Sequence, residues 1–120
     1  MLHTVLLVES HPDLRLAISR ALARAAIDYE SVANCGEALL KLRDSEYKHI
    51  LFDVDSPSPI EALCDALEAE PSLFAKVVVI AEDDVPVALS DAPLLQKPFD
   101  NQQLLRSLSP APRLAVRPVG

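Results

Sequence analysis

The sequence has no tryptophan and few aromatic residues of any kind. Phenylalanine and tyrosine together make up 4% of its 120 residues, whereas 50% of the chain is hydrophobic. The core must therefore be built mainly from leucine, valine, isoleucine and alanine. An aliphatic core of this kind suits parallel strands that helices cover on both faces. The length fits one domain.

Cysteine is also scarce, and long apolar runs are absent from the sequence. The two cysteines, Cys35 and Cys64, do not have the spacing of a metal site, and no segment resembles a signal peptide. We therefore expect two reduced thiols in a cytoplasmic protein. The longest purely apolar runs, at 5–8 and 77–81, have the length of strands. Neither is long enough to cross a bilayer.

Basic residues are outnumbered by acidic ones. Eleven Lys and Arg residues stand against 18 Asp and Glu residues, which gives a formal net charge of -7. Such a chain repels phosphate backbones and anionic lipid, so direct binding to nucleic acid or to a membrane is disfavoured. Protein partners with a basic face, or metal cations, are favoured instead.

Apolar stretches of strand length alternate with stretches of helical periodicity. Strands are predicted at 4–8, 29–33, 49–52, 76–81 and 94–96. Helices are predicted at 12–25, 37–42, 60–67 and 101–108. Asp100 is the predicted N-cap of the last helix. Between 82 and 93, acidic residues and prolines leave room for one helical turn at most.

This alternation predicts an α/β fold of the flavodoxin-like class. Helices that connect parallel strands with right-handed crossovers give a doubly wound sheet, and we expect five strands in the order 2-1-3-4-5. The helix between the fourth and fifth strands should be shortened or missing. We assign residues 1–108 to one domain and the proline-rich residues 109–120 to a tail or linker.

Charged side chains stand at the predicted ends of these strands. In such sheets, ligands bind beyond the carboxyl ends of the strands. Glu9 follows the first strand, Asp53 ends the third, and Lys97 follows the fifth. The apolar run 50–52 leads directly into Asp53, and a buried charge is costly unless it is paired. We therefore expect Asp53 to lie in a charged pocket with Glu9 and Lys97.

Four stretches together resemble the receiver domains of bacterial two-component response regulators. They are VLLVESHPDLR at 5–15, ANCGEAL at 33–39, ILFDVDSP at 50–57 and LLQKPF at 94–99. The last two are the most specific, because they combine a strand-end aspartate, a proline four residues later and a strand-end Lys-Pro-Phe. The resemblance covers roughly residues 3–108. It implies a CheY-like fold and a role in phosphorelay signalling, with no enzymatic activity beyond the domain's own phosphoryl transfer.

The resemblance also implies roles for individual residues. Asp53 would be the phosphoacceptor that takes a phosphoryl group from a histidine kinase. Mg²⁺ would be held by Glu9, Asp53 and the backbone carbonyl of Asp55, because magnesium takes hard oxygen ligands. Lys97 would pair with Asp53 before the transfer and with a phosphoryl oxygen afterwards. The Lys-Pro bond after the fifth strand is typically cis in this family.

The sequence departs from the receiver pattern at three positions. Ser10 stands where a second acid is usual, so the metal site should be weakened. Ala81 stands where a threonine or serine hydroxyl usually meets the phosphoryl group, and Leu94 stands where an aromatic switch residue is usual. Two hypotheses follow: a divergent phosphoacceptor receiver, and a phosphorylation-independent pseudo-receiver that acts as a protein–protein interaction module. The resemblance implies a protein partner, either a histidine kinase or a downstream signalling protein.

Simpler interpretations apply to several of these residues. Lys97 and Asp53 could form a structural ion pair without any chemistry. Glu9 could serve only to pair with Lys97, and Ser10 could cap the first helix. The side chain of Asp55 is expected to be an exposed loop acid.

Two further alternatives concern the surroundings of Asp53. FDVDSP at 52–57 resembles the motif of haloacid-dehalogenase-type phosphatases, in which a second aspartate is the general acid. That family places the motif at its first strand, whereas two βα units precede it here, so this alternative is remote. His11 is the histidine nearest to the strand ends, and we assign it no catalytic role.

Overall fold

Five short, mostly apolar stretches form one parallel sheet. They are β1 (Leu2–Val8), β2 (Tyr29–Val32), β3 (Glu46–Asp53), β4 (Val77–Ala81) and β5 (Leu94–Gln96). The strand order is β2-β1-β3-β4-β5, and all neighbours are parallel. The predicted doubly wound fold is therefore confirmed. The computed structural model describes residues 2–57 and 59–108, so the predicted tail at 109–120 lies outside the described residues.

Helices cover both faces of this sheet. They are α1 (Pro12–Arg24), α2 (Cys35–Asp44), α3 (Glu61–Ala69), α4 (Pro71–Phe74) and α5 (Asn101–Ser107). The side chain of Asn34 caps α2 by accepting from the backbone N–H of Glu37 at 2.8 Å. Asp100 caps α5 as predicted, accepting from the backbone N–H of Gln103 at 2.8 Å. Each cap satisfies a donor that the first helical turn leaves without a partner.

The structure corrects the sequence-based prediction at two helix starts. Ser10 does not cap α1; the N-cap is His11, and Ser10 Oγ has no hydrogen-bond partner among the described residues. The short helix α4 was not predicted. Pro71 marks the end of α3, as expected, but it also begins α4, because proline suits the first position of a helix. Between β4 and β5 the chain forms only a 3₁₀ turn at Val87–Leu89, which confirms the predicted loss of a full helix there.

The two faces of the sheet form separate apolar layers. Successive side chains of a strand point to opposite faces, so Phe52 packs towards α2 and α3 whereas Leu51 packs towards α1 and α5. All five residues of β4 are buried, as the continuous apolar run predicts. Cys35 and Cys64 are free and buried.

The parallel register aligns the carboxyl ends of the strands at one edge. Phe52 of β3 pairs with Val8 of β1, and the next residue, Asp53, pairs with Ile80 of β4. Ala81, at the end of β4, pairs with Gln96 of β5. The residues that follow each strand therefore meet at this edge. No helix within the described part of the chain has both the length and the apolar composition to span a membrane.

Candidate functional site

Asp53 and Lys97 meet at the carboxyl edge of the sheet. Asp53 is the last residue of β3, and its side chain is 1% exposed. Lys97 directly follows β5, and its Nζ lies 2.7 Å from Oδ2 of Asp53. The backbone N–H of Lys97 donates to the carbonyl of Ala81 at 2.9 Å, which fixes where its side chain leaves the sheet. The Lys97–Pro98 peptide bond is cis.

Asp55 belongs to the same cluster through its side chain as well as its backbone. Its Oδ2 lies 3.2 Å from Lys97 Nζ and accepts from the backbone N–H of Glu82 at 2.7 Å. Its own backbone N–H donates to Oδ1 of Asp53 at 2.8 Å. The expectation of an exposed loop acid was wrong. The sequence did contain a signal for this position. Asp55 follows Asp53 by two residues, and in an extended segment every second side chain points to the same side.

Glu9 is fully buried beside this pair. Its Oε2 accepts from the backbone N–H of His11 at 3.2 Å, whereas Oε1 has no hydrogen-bond partner among the described residues. Burial and, next, the nearby Asp53 carboxylate raise the pKa of Glu9 to about 8. The ion pairs that the structure describes for Lys97 go to Asp53 and Asp55, not to Glu9.

Lys97 pairs with two carboxylates, those of Asp53 and Asp55. Burial lowers its pKa, but Asp53 and Asp55 outweigh that effect, so the pKa of the ammonium group is raised. Lys97 therefore stays charged. Its ammonium group neutralises part of the negative charge of the Asp53 and Asp55 carboxylates.

His11 and Arg15 also contact the site, and neither contact was predicted. Nε2 of His11 lies 3.2 Å from the backbone carbonyl oxygen of Asp55, which is 44 positions away in the sequence. Nη1 of Arg15 donates to the carbonyl of Glu9 at 3.0 Å. The direct passage from β1 into α1 places both side chains at the edge. The sequence indicated that His11 lies near the strand ends, but its contact with Asp55 depends on the packing of β1 beside β3.

The three positions that depart from the receiver pattern also lie where the sequence indicated. Ser10 Oγ is buried next to Glu9 and has no hydrogen-bond partner in the described part of the chain. Ala81 ends β4 and is fully buried, so no hydroxyl projects from that position. Leu94 lies in β5 with 47% of its surface exposed.

The oxygen atoms at this edge fit a hard divalent cation. The carboxylates of Glu9 and Asp53 and the carbonyl of Asp55 are the kinds of ligand that Mg²⁺ takes. Glu9 Oε1 is buried and has no hydrogen-bond partner in the part of the chain that the structure describes, so its lone pairs are available to a metal ion. Across residues 2–57 and 59–108, no group of three or more His, Cys, Asp and Glu side chains is suited to a metal ion. A cation here would therefore depend on the backbone carbonyl and retained waters as well as on two carboxylates.

Comparison with known proteins shows the class of fold. No protein-family model and no curated protein matches the chain. Solved structures do: the chemotaxis protein CheY4 of Vibrio cholerae superposes with a TM-score of 0.76 at 23% identity, over 90% of this chain and 97% of that one. The signal receiver domain of a histidine kinase from Syntrophus aciditrophicus gives 0.74 at 24% identity, over 88% and 86%.

A third similar structure is the receiver domain of a sensor histidine kinase from Pseudomonas aeruginosa. It superposes with a TM-score of 0.75 at 21% identity, over 90% of this chain and 95% of that one. It has a magnesium ion coordinated in its active-site cleft. These likenesses define the fold as flavodoxin-like. Within that class, the chain has the CheY-like fold of receiver domains.

Proposed function

We propose that the chain is a receiver domain in two-component signal transduction and that Asp53 is its phosphoacceptor. The observation that carries this proposal is the 2.7 Å ion pair between Lys97 and Asp53 at the carboxyl edge of the sheet. Phosphoryl transfer depends mainly on positioning and on neutralising charge. A buried carboxylate held by an ammonium group from another strand provides both.

Asp53 acts as the nucleophile towards a phosphohistidine of a kinase. A bond forms between a carboxylate oxygen of Asp53 and phosphorus, while the phosphorus–nitrogen bond breaks and the donor imidazole leaves with a proton. The backbone N–H of Asp55 holds Oδ1 of Asp53 at 2.8 Å and so orients the carboxylate. Lys97 moves from the Asp53 carboxylate to a phosphoryl oxygen, so the ammonium group remains paired throughout.

Glu9, Asp53 and the Asp55 carbonyl would hold Mg²⁺ in this proposal. When bound, the cation neutralises the charge on the phosphoryl oxygens. The magnesium ion in the active-site cleft of the Pseudomonas receiver domain supports this assignment. Ser10 supplies a neutral hydroxyl where a second acid would add a full charge, so we expect binding to be weak.

A second candidate function is a pseudo-receiver whose surface a partner reads without phosphate. It is favoured by the carboxylate of Asp55, which lies 3.2 Å from Lys97 and competes with Asp53 for the ammonium group. The absence of a hydroxyl at Ala81 favours it too. The haloacid-dehalogenase alternative has less support, because Asp53 ends the third strand of the sheet. The carboxylate of Asp55 is also held by Lys97 and the backbone N–H of Glu82, so it is poorly placed to protonate a leaving group.

The proposed partner is a protein, either a histidine kinase or a downstream signalling protein. The similar structures include a chemotaxis response protein and receiver domains of histidine kinases, which supports both choices. The role is signalling rather than enzymatic turnover. A cytoplasmic location stays a prediction from the sequence.

Treatment with beryllofluoride and Mg²⁺, followed through the amide spectrum, tests the proposal. We expect shifts at Asp53, Asp55 and Lys97 in the wild-type chain and none in Asp53→Asn. Incubation with acetyl phosphate should add one phosphoryl group to the wild-type chain alone, as measured by intact mass. If the wild-type spectrum does not respond at saturating Mg²⁺, Asp53 is not a phosphoacceptor and the pseudo-receiver stands.

A further inference from the structure

We propose that His11 gates the cation site by occupying the carbonyl oxygen of Asp55. The ring Nε2 of His11 lies 3.2 Å from that oxygen. The inference rests on the proposed receiver function, because it takes the same oxygen to be a ligand of the cation beside Glu9 and Asp53. It adds that the side chain of His11 controls the access of the cation to the carbonyl oxygen of Asp55.

His11 is held at the site by its backbone. Its backbone N–H donates to Glu9 Oε2 at 3.2 Å. It is also the N-cap residue of α1, with an extended conformation at φ -85 and ψ 117, and Pro12 follows it. The start of the helix therefore fixes the backbone of His11, whereas the side chain is exposed. The ring is free to turn away from the site without any change in the core.

The contact between the ring and the carbonyl identifies the hydrogen-bond donor. A carbonyl oxygen can only accept, so Nε2 of His11 carries the proton in this contact. The hydrogen then points at the oxygen that a cation would approach. The partly positive hydrogen on Nε2 and the cation repel each other when both approach this oxygen. The hydrogen bond therefore opposes binding of a cation at this oxygen, and we expect binding to displace the ring from Asp55.

His11 constrains two of the three proposed ligands. Its ring occupies the Asp55 carbonyl, and its backbone N–H engages Oε2 of Glu9. Glu9 thus has Oε1 left for a cation, and this is the oxygen without a hydrogen-bond partner among the described residues. The backbone contact orients Glu9 for binding, whereas the ring contact opposes binding. Substitutions of the side chain separate these two effects, because they leave the backbone N–H in place.

The test is Mg²⁺ affinity without any phosphodonor, measured from the amide signals of residues 9, 53 and 55. His11→Phe keeps a planar ring and removes the donor, and His11→Ala removes the ring. We expect both variants to bind Mg²⁺ about three- to tenfold more tightly than the wild-type chain, as for the loss of one partly exposed hydrogen bond. The control is His49→Gln. It changes a histidine of β3 that lies four residues before Asp53, about 13 Å along the strand.

A second measurement follows the ring itself. Addition of Mg²⁺ to the wild-type chain should shift the ring signals of His11 as Nε2 leaves the carbonyl, and should leave those of His49 unchanged. If the ring signals of His11 do not change at saturating Mg²⁺, the proposal that His11 gates the site is wrong.

The affinities separate failure of the gate from failure of the proposed function. Equal affinity in the wild-type chain and both variants overturns the gate and leaves the cation site intact. Weaker affinity in both variants also overturns it and identifies the ring as a ligand. If no variant binds Mg²⁺ at tens of millimolar, the cation site itself is absent, and the gate falls with it.

Discussion

The ammonium group of Lys97 lies 2.7 Å from Oδ2 of Asp53, across the end of β4, which separates the two strands that carry them. The contact therefore ties the edge strand of the sheet to its centre. It also joins two residues that only the complete sheet brings together. The pair thus contributes to the stability of the fold as well as to the proposed chemistry, and the two contributions can be measured separately.

Lys97→Met should destabilise the fold by about 2 kcal/mol. The substitution keeps an unbranched stem but leaves the buried carboxylate of Asp53 without its cation, and breaking a pair of this kind is costly. The side chain of Lys97 is 17% exposed, which places the cost below that of a fully buried pair. Urea unfolding measures it. The matched control is Lys48→Met, at an exposed position of β3, which should change stability by less than about 0.5 kcal/mol.

A double variant identifies the source of this cost. Adding Asp53→Asn to Lys97→Met removes the unpaired charge, so part of the lost stability should return. If Lys97→Met costs no more than Lys48→Met, the ion pair does not stabilise the fold.

Ser10→Asp should strengthen Mg²⁺ binding by about tenfold, because it adds a full charge to a hard-cation site. The same change should destabilise the metal-free chain, since a further carboxylate then stands beside Glu9 and Asp53 without a cation. Thermal unfolding with and without Mg²⁺ measures both effects. Ser10→Asn, of the same size and neutral, is the control. Equal responses of the two variants to Mg²⁺ would show that position 10 does not reach the cation.

The elements of the sheet could be predicted because they depend on local patterns, and the Asp53–Lys97 contact because the fold brings the strand ends to one edge. The apolar run before Asp53 indicates a buried strand, and strand ends in a parallel α/β sheet meet at one edge. The strand order and the loss of a helix before β5 were predicted for the same reason. The short helix α4 was missed, because Pro71 suits both the end of one helix and the start of another.

The contact of His11 could not be predicted from local patterns, and the spacing of Asp55 from Asp53 indicates only that the two side chains point to the same side. His11 contacts a backbone carbonyl 44 positions away, and no residue type in the sequence marks such a contact. The carboxylate of Asp55 is held by Lys97 and by a backbone N–H after β4. Both partners depend on the register of strands that are distant in the sequence. Capping of α1 by Ser10 was one alternative, but the chain enters the helix one residue later, at His11.

Ala81→Thr should tighten beryllofluoride binding relative to Ala81→Val. The two variants have nearly the same shape, so their packing cost at this fully buried position is shared. Only threonine adds a hydroxyl at the end of β4. One hydrogen bond to a charged group corresponds to about a tenfold gain in affinity. Titration of the amide signals of Asp53 measures it. Identical affinities for the two variants would show that position 81 does not face the bound anion.

The thiol of Cys35 should react slowly in the folded chain below about pH 10. Burial and, next, the neighbouring Cys64 raise the pKa of Cys35 from 9.0 to about 11. The thiolate is the reactive form, so at pH 9 about 1% of the folded thiol is reactive, against about half in an unfolded chain. The folded chain holds this proton more tightly. The resulting contribution to stability is complete below pH 9 and is lost as the pH rises towards 11.

Labelling of a Cys64→Ala variant with a disulfide reagent isolates Cys35. Between pH 8 and 10, the folded chain should label faster with each pH unit, and the rate should level off only well above pH 9, because burial alone still raises the pKa of Cys35 in this variant. In guanidinium chloride the same variant should level off near pH 9, which is the matched reference for a solvated thiol. Fast labelling of the folded chain at pH 8 would show that Cys35 reaches solvent, and would contradict its packing between α2 and the sheet.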